Sequence, residues 1–309
     1  MTNQVEIRFL NLPELDSKER IEFRNFTQVD FYDCLRGVAP LKMPVTGVFG
    51  IAAFIKDKTV GLLLGSYQEA NFKGRIYSIF VKEEFRRQKI ATQLFQTVEK
   101  FLKEKKCVVV EKKYCAEAPY TEALERLFQS CEWRDPDPLL TQYWFDQTFG
   151  PDWIKTTPPL PEGFQEFNWK QLKPEEEKIL RHQRDQLRFP LEVSPFGRVH
   201  QIEYLNSLGL RHKGEVIGWM ITHRIYPDTI RFSALYIDPM YRNGPFAIRM
   251  LADACMKHHA VMPSIPWALF EVAEEEAEPI WENFVKKRLA PHAVKTVRYN
   301  MAWKAFIKM

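Results

Sequence analysis

The residues of this chain best suited to chemistry form a short basic turn between two apolar segments. The turn reads Glu84-Phe-Arg-Arg-Gln-Lys89. Residues 76–81 before it are mostly β-branched or aromatic and predict a strand. The first turn of a helix has N–H groups without intrahelical partners and a dipole that favours anions, so a following helix would make this a phosphate-binding turn. Apolar residues recur there at helical spacing: Ile90, Leu94, Phe95, Val98, Phe101 and Leu102.

The same order of strand, turn, arginine, alanine and helix occurs a second time, in residues 234–247. Arg86 and Arg242 are 156 residues apart, and so are Ala91 and Ala247 (242 − 86 and 247 − 91). A period near half the chain indicates a duplicated domain, because solenoid repeats are far shorter.

The basic turn resembles a known family motif. Arg86-x-x-Lys89-x-Ala91 is similar to the Q/R-x-x-G-x-G/A pyrophosphate loop of the GNAT acyltransferase superfamily, and Val81 matches that family's fourth strand. Because the signal occurs twice, the chain resembles a tandem GNAT protein over nearly all of its length. The resemblance implies an α/β (α+β) fold of two tandem GNAT-like domains, each a mixed, mostly antiparallel sheet flanked by helices.

In the family that the sequence resembles, loop N–H groups hold the CoA pyrophosphate, while the splayed end of the fourth strand pairs with the pantetheine and polarises the thioester carbonyl. The resemblance therefore implies acetyl-CoA or another acyl-CoA as co-substrate. At the position of the family's glycine, Lys89 keeps its N–H and adds a positive charge, although a left-handed backbone is disfavoured there. The implied contact residues are Ile79, Phe80 and Val81 on the strand and Arg86, Arg87, Gln88, Lys89, Ile90, Ala91 and Thr92 on the loop.

The second copy of the motif departs further from the family. Pro245 occupies the glycine position, and proline has no N–H to donate, although it is a good first residue for a helix. We therefore expect the N-terminal half to bind acyl-CoA and the C-terminal half to have a degenerate loop and to serve the acceptor side.

The acid and base are harder to predict. Family members often have a tyrosine in the helix after the fifth strand, but Phe128 and Trp281 stand at the matching positions and neither is a useful acid. Glu111 and Tyr114, near the end of the fifth strand, are the candidate base and acid. A structural role is the stronger interpretation for each, as it is for the further first-half candidates Cys115 and Tyr120. In the second half, His223, Arg224, Glu271 and Glu274–Glu276 could line a polar pocket, although such an acidic run more often stabilises a helix N-terminus.

Composition excludes several classes of protein. A length of 309 residues suits two domains, and a net charge of +4 from scattered residues does not indicate nucleic-acid binding. No apolar run reaches the ~20 residues of a membrane helix, and the N-terminus lacks an apolar signal segment, so we expect no membrane insertion. Five cysteines without C-x-x-C spacing indicate reduced thiols in a cytoplasmic protein and no metal site.

Residues 150–163, with four prolines, are the predicted linker between domains at 1–149 and 164–309. We expect residues 140–145 to return into the first half as its last strand, and residues 294–304 to be the last strand of the second. Further strands are predicted at 5–10, 47–56, 59–67, 75–81, 107–114, 164–172, 205–212, 216–225, 230–237 and 266–272. Helices are predicted at 17–36, 90–105, 121–131, 174–188, 246–258 and 275–287.

Taken together, the sequence predicts an acyl-CoA-dependent N-acyltransferase that transfers an acetyl or longer acyl group to a primary amine of a small molecule or peptide. Two alternatives stay open. One is a catalytically silent protein that binds acyl-CoA or a protein partner, and the other is fatty-acyl transfer to a peptide amine in natural-product biosynthesis.

Overall fold

The structure is a computed structural model that describes residues 4–40, 45–197, 199–273 and 283–306. The chain divides into two compact units: unit 1 is Met1–Leu139 with Arg298–Met309, and unit 2 is Leu140–Val297. None of the described helices is both long and apolar enough to span a bilayer.

Unit 1 contains a six-stranded sheet within the described residues, in the order β1-β2-β3-β4-β5-β12, in which only β4 and β5 are parallel. Two helices, α2 and α3, pack on one face, and α1 with the 3-10 segment Val29–Arg36 packs on the other. The elements are β1 (Glu6–Leu10), α1 (Ser17–Arg24), β2 (Gly47–Ile55), β3 (Lys58–Gln68), β4 (Lys73–Val81), α2 (Ile90–Glu104), β5 (Val109–Cys115), α3 (Thr121–Ser130) and β12 (Lys295–Ala305).

Unit 2 repeats this plan. Its described strands follow the order β6-β11-β10-β9-β8-β7, and only β10 and β11 are parallel. The apolar core on one face includes α4 and α6, and the core on the other includes α5. The elements are β6 (Asp137–Phe145), α4 (Asp152–Thr156), β7 (Phe164–Asn168), α5 (Pro174–Asp185), β8 (Leu208–His212), β9 (Glu215–Tyr226), β10 (Thr229–Ile237), α6 (Phe246–His259) and β11 (Trp267–Ala273).

The last strand of each sheet comes from the other half of the sequence. β6 pairs with β11, and β12 pairs with β5. Residues 140–145 therefore do not return into unit 1, and the C-terminal strand completes unit 1 and not unit 2. The spacing of apolar residues predicts that a segment forms a strand and pairs in a sheet. It does not identify the partner strand, because that depends on contacts between residues far apart in sequence. The exchange therefore could not be predicted from the local pattern.

The predicted linker lies inside unit 2, so the units divide elsewhere than at 149/150. Trp153 and Ile154 are buried in the unit 2 core. The Trp153 indole N–H donates to the Arg288 carbonyl (3.2 Å), and Arg249 donates to the Thr157 carbonyl (3.1 Å). The segment contains several prolines, as a linker would, but its buried apolar residues pack in the core of unit 2.

One predicted helix is shorter than expected. The capping box that begins α1 is present, with Asp16 accepting from the Glu19 N–H (2.8 Å), yet the helix ends at Arg24 and not at residue 36. Phe26 is buried and the Thr27 hydroxyl bonds the Ser78 hydroxyl (2.8 Å), and these contacts take the chain out of the helical path. The predicted helix over 275–287 falls largely on residues 274–282, outside the described residues; Val285–Leu289 form a π-helical turn.

Candidate active site

The two parallel strands of unit 1 separate after a short pairing. β4 and β5 are in register only from Lys73–Arg75 with Val109–Glu111. On its other edge β4 stays paired to β3 as far as Val81, and the Lys82 N–H donates to the Val60 carbonyl (2.9 Å). The backbone N–H and C=O groups of successive strand residues point to alternate edges of the strand. Those of Ile79 and Val81 therefore point to the edge from which β5 has separated. Unit 1 thus has an open strand edge inside its sheet.

Side chains close this open edge at both ends. The Lys112 ammonium donates to the Tyr77 carbonyl (2.6 Å), and the Arg86 guanidinium donates to the Val81 carbonyl (3.1 Å). Between them, the Ile79 N–H and C=O and the Val81 N–H bind no group among the described residues. The edge can therefore pair with an extended ligand that carries amide groups.

The basic turn after β4 has an anion-binding backbone. Arg87 and Lys89 both adopt left-handed conformations (φ 63° and 59°), with Lys89 at the N-terminal cap of α2. Such alternation turns successive N–H groups inward to form a concave nest for an anion. Within the described chain no acceptor binds the N–H groups of residues 87–92, and the side chains of residues 86–89 are exposed. This turn combines six open donors with three basic side chains.

The corresponding turn of unit 2 is closed. Arg242 and Pro245 have φ of −62° and −77°, the Gly244 N–H donates to the Tyr241 carbonyl (3.1 Å), and Pro245 has no N–H. The Phe246 ring lies so close to Gly244 that an added Cβ would stand 2.3 Å from it. With fewer available donors and no left-handed residue in the turn, unit 2 has a poorer anion site.

The structure does not bring Glu111 and Tyr114 together. Because they are three residues apart on β5, their side chains lie on opposite faces. Glu111 is buried and binds Lys73 (2.9 Å) and Arg75 (2.7 Å). Tyr114 donates to the Glu125 carboxylate (2.8 Å), and burial, together with this bond, raises the pKa of Tyr114.

The other sequence candidates have structural surroundings. Phe128 is buried against Phe95, Tyr114 and Trp133, as a packing residue would be, and Trp281 lies outside the described residues. Cys115 is half-buried and Tyr120 is exposed. In unit 2, His223 bonds the Gly197 carbonyl, Arg224 binds Glu203 (2.6 Å) and Glu271 binds Arg231 (2.9 Å); Glu274–Glu276 lie outside the described residues.

Sequence reasoning missed Lys112. Its side chain is buried, its ammonium also donates to the Lys113 carbonyl (3.2 Å), and burial lowers the pKa of Lys112 to about 8. The strand alternation could have found it, because Val110 and Tyr114 on either side are core residues and Lys112 must share their face.

Comparison with known proteins identifies this architecture. Residues 13–136, which contain the open edge, the basic turn and α3, match the family model described as acetyltransferase (GNAT) family. This segment is a GNAT domain. No curated protein matches the sequence.

Solved structures extend the GNAT fold to the whole chain. A tandem GNAT protein from the clavulanic acid biosynthesis pathway superposes with a TM-score of 0.68 at 14% identity, covering 99% of this chain and 100% of that one. A GCN5-related N-acetyltransferase from Sphaerobacter thermophilus gives 0.57 at 16% identity over 83% and 80% of the two chains. The chain therefore has two GNAT-like units in tandem, as the resemblance predicts.

Proposed function

We propose that this protein is an acyl-CoA-dependent N-acyltransferase whose unit 1 holds the acyl-CoA. The observation that carries the proposal is the turn at residues 87–92, with six open N–H groups and the basic side chains of Arg86, Arg87 and Lys89. These donors suit a pyrophosphate, and the open Ile79 and Val81 groups suit the amides of a pantetheine arm. Gln88, Ile90, Ala91 and Thr92 contribute N–H groups of the same turn. The Phe80 ring packs edge-on against Phe26 near the end of the strand (centroids 5.8 Å apart).

The reaction needs an amine and a thioester. The nitrogen lone pair of a neutral primary amine attacks the carbonyl carbon, a C–N bond forms, and the C–S bond breaks with its electron pair leaving on sulfur. The amine nitrogen loses one proton and the thiolate takes up one, so the products are an amide and a free thiol. The protein must therefore fix the two reactants, support the acyl oxygen as it gains charge and give the proton a route.

Glu111 and Tyr114 remain the proposed base and acid. Because both Glu111 oxygens are held by cations and Tyr114 is bonded to Glu125, each would reach the reacting atoms through water. The acyl group is proposed to be acetyl or a longer chain, and the acceptor a primary amine on a small molecule or peptide, including a peptide intermediate of natural-product biosynthesis.

The decisive experiment compares two matched charge reversals by calorimetric titration of the full chain with CoA. Arg86 and Arg242 occupy equivalent positions, and each donates through Nε to the last carbonyl of its strand (3.1 Å to Val81, 3.3 Å to Ile237). Structural damage should therefore be similar in R86E and R242E. We expect R86E to weaken CoA binding by about 1.5–3 kcal/mol and R242E to change it little, because a charged hydrogen bond is worth about that much.

Normal binding to R86E, together with loss of binding in R242E, would move the donor site to unit 2. If neither variant nor the wild type binds CoA, the proposal fails. Where CoA binds, thiol release from acetyl-CoA with a panel of amines tests catalysis. The buried Phe128 at the expected acid position favours the silent acyl-CoA-binding alternative, and tight binding without thiol release for any amine or acyl length would support it.

A further inference from the structure

Lys112 is a buried cation without an anionic partner in the described residues. Its side chain lies on the same face of β5 as Val110 and Tyr114, which belong to the core beneath α2 and α3. Its ammonium bonds only the Tyr77 and Lys113 carbonyls, and burial is the sole cause of its lowered pKa. A buried charge without a counterion costs free energy, so a lysine here requires an explanation other than packing.

The position of the ammonium relates it to the open edge of β4. In a parallel sheet, one residue of the neighbouring strand bonds the C=O of residue i−1 and the N–H of residue i+1. The Lys112 ammonium donates to the Tyr77 carbonyl, and the next backbone group along the same edge is the Ile79 N–H. No group of the described residues accepts a hydrogen bond from this N–H. The ammonium and this N–H therefore converge on the same short length of strand edge.

The number of hydrogens leaves one donor available. An ammonium has three N–H donors, and two point at the carbonyls of Tyr77 and Lys113. The third has no acceptor among the described residues. A ligand oxygen that accepts the Ile79 N–H would meet this third donor as well.

We propose that Lys112 is a charged donor to the acyl oxygen of the bound thioester, acting beside the Ile79 N–H. This inference rests on the proposed function of unit 1. Preorganised donors aimed at an oxygen that gains negative charge are strong contributors to catalysis, above all in a site shielded from water. The free energy that the buried charge costs the resting protein would then be recovered as that oxygen becomes negative.

The same position in unit 2 carries no charge. Arg75 of β4 and Arg231 of β10 occupy equivalent positions in the two units. Arg75 is in register with Glu111 of β5, and Arg231 is in register with Leu269 of β11. The residue after each partner is therefore also equivalent, and Lys112 corresponds to Phe270. The Phe270 ring stacks on Phe232 (centroids 4.5 Å apart) in the core. The cation is thus confined to the unit that also has the open anion-binding turn.

A different role would use the same lysine in its neutral form. A neutral amine has two N–H donors, which the two carbonyls would satisfy, and its lone pair could then accept the proton of the attacking amine. The titratable groups on the same face of the sheet include Tyr114 with its partner Glu125, and Lys304 of β12 with its partner Glu99; Glu111 and Lys113 lie on the opposite face. The two roles predict opposite pH profiles, because a charged donor fails and a base improves as the pH rises through the pKa of Lys112.

The test uses Lys112→Met in the full chain, with Lys113→Met as a control that removes a neighbouring lysine on the opposite face. We first measure the carbonyl stretching frequency of ¹³C-labelled acetyl-CoA bound to each protein by isotope-edited infrared spectroscopy. A charged donor weakens the C=O bond, so the frequency should rise in K112M and stay at the wild-type value in K113M. Affinity for CoA, which lacks the acyl oxygen, should be the same in all three.

Turnover supplies the second measurement. Thiol release should fall about 10²–10³-fold in K112M, as expected for one lost donor. Wild-type turnover, divided by the fraction of acceptor amine that is neutral at each pH, should decrease as the pH rises above about 8. An unchanged carbonyl frequency in K112M overturns the inference, and so does a corrected turnover that rises through the same pH range. Absence of CoA binding in the wild type is a different result, since it would sink the proposed function of unit 1 itself.

Discussion

Lys89 holds a left-handed backbone conformation that a side chain resists, with φ at 59°. We expect Lys89→Gly to be about 1 kcal/mol more stable than Lys89→Ala, because only glycine adopts this conformation without a Cβ penalty. Both variants lose the same charge, so both should bind CoA more weakly by a similar amount. Urea unfolding and calorimetry check the two expectations. A more stable alanine variant would contradict the left-handed assignment.

Burial of Lys112 makes stability depend on pH in a defined direction. Its pKa falls from 10.5 to about 8 on folding, so between these values the unfolded chain binds more protons and stability rises with pH. Lys112→Met should remove this rise, and should stabilise the protein at pH 7 by about 1–3 kcal/mol since no charge is then buried. Urea unfolding of wild type and variant at pH 7 and 10.5 measures it. A destabilised variant at pH 7 would show that the ammonium holds the strands together.

Glu111 allows a structural role to be separated from a chemical one. Glu111→Gln removes the anion between Lys73 and Arg75, and because both cations are partly exposed we expect a loss of about 1–3 kcal/mol in unfolding free energy. A general base would instead show a fall of about 10²–10⁴ in kcat. Loss of stability with kcat within a few-fold of wild type would remove Glu111 from the chemistry.

At the scale of elements, β7 and α6 of unit 2 share an acidic pair. Burial, followed by the neighbouring Asp253 carboxylate, raises the pKa of Glu166 from 4.5 to about 7, while Arg249 pairs with Asp253 and Lys257 lies 4.0 Å from Glu166. The folded state therefore binds more protons than the unfolded state between pH 4.5 and 7, and stability should fall as the pH rises through that range.

The variant that tests this pH dependence is Glu166→Gln, whose side chain cannot ionise. It should flatten this dependence and raise the unfolding midpoint at pH 8 by roughly 2–4 °C for each kcal/mol recovered. Thermal unfolding followed at pH 5 and 8 tests it. Equal pH slopes for variant and wild type would mean that Glu166 is already ionised in the folded protein at low pH.

Elements whose signals are local could be predicted from the sequence. The hairpin of β2 and β3, the basic turn and the start of α2 follow from turn residues, charge and periodicity over about ten residues. The end of α1 could not, because it depends on Phe26 entering the core and Thr27 meeting Ser78 on a distant strand. The same distinction applies to the candidate site. The N–H donors of the basic turn could be predicted from a local sequence pattern. The proposed role of Lys112 could not, because it depends on where β4 and β5 separate.

At the scale of the molecule, the exchanged strands predict that the N-terminal half is incomplete alone. A fragment of residues 1–149 lacks β12, which leaves the β5 edge unpaired, and unpaired edges promote aggregation. We expect it to be poorly soluble and inactive. A fusion of residues 1–139 to 298–309 through a flexible linker is the control, and it should be more soluble because it restores that edge. Size-exclusion chromatography compares them; a soluble 1–149 fragment with wild-type CoA affinity would contradict the exchange.

The exchange of β6 and β12 also determines the order in which the two units can be completed during translation. β5 ends at Cys115, but its partner in unit 1 begins at Arg298, so the 182 residues 116–297 are made in between. At about 5–20 residues per second, the ribosome needs roughly 10–40 s to supply that strand. The half that emerges first is therefore finished last, and a nascent chain stalled anywhere in unit 2 carries an exposed strand edge beside the proposed donor site.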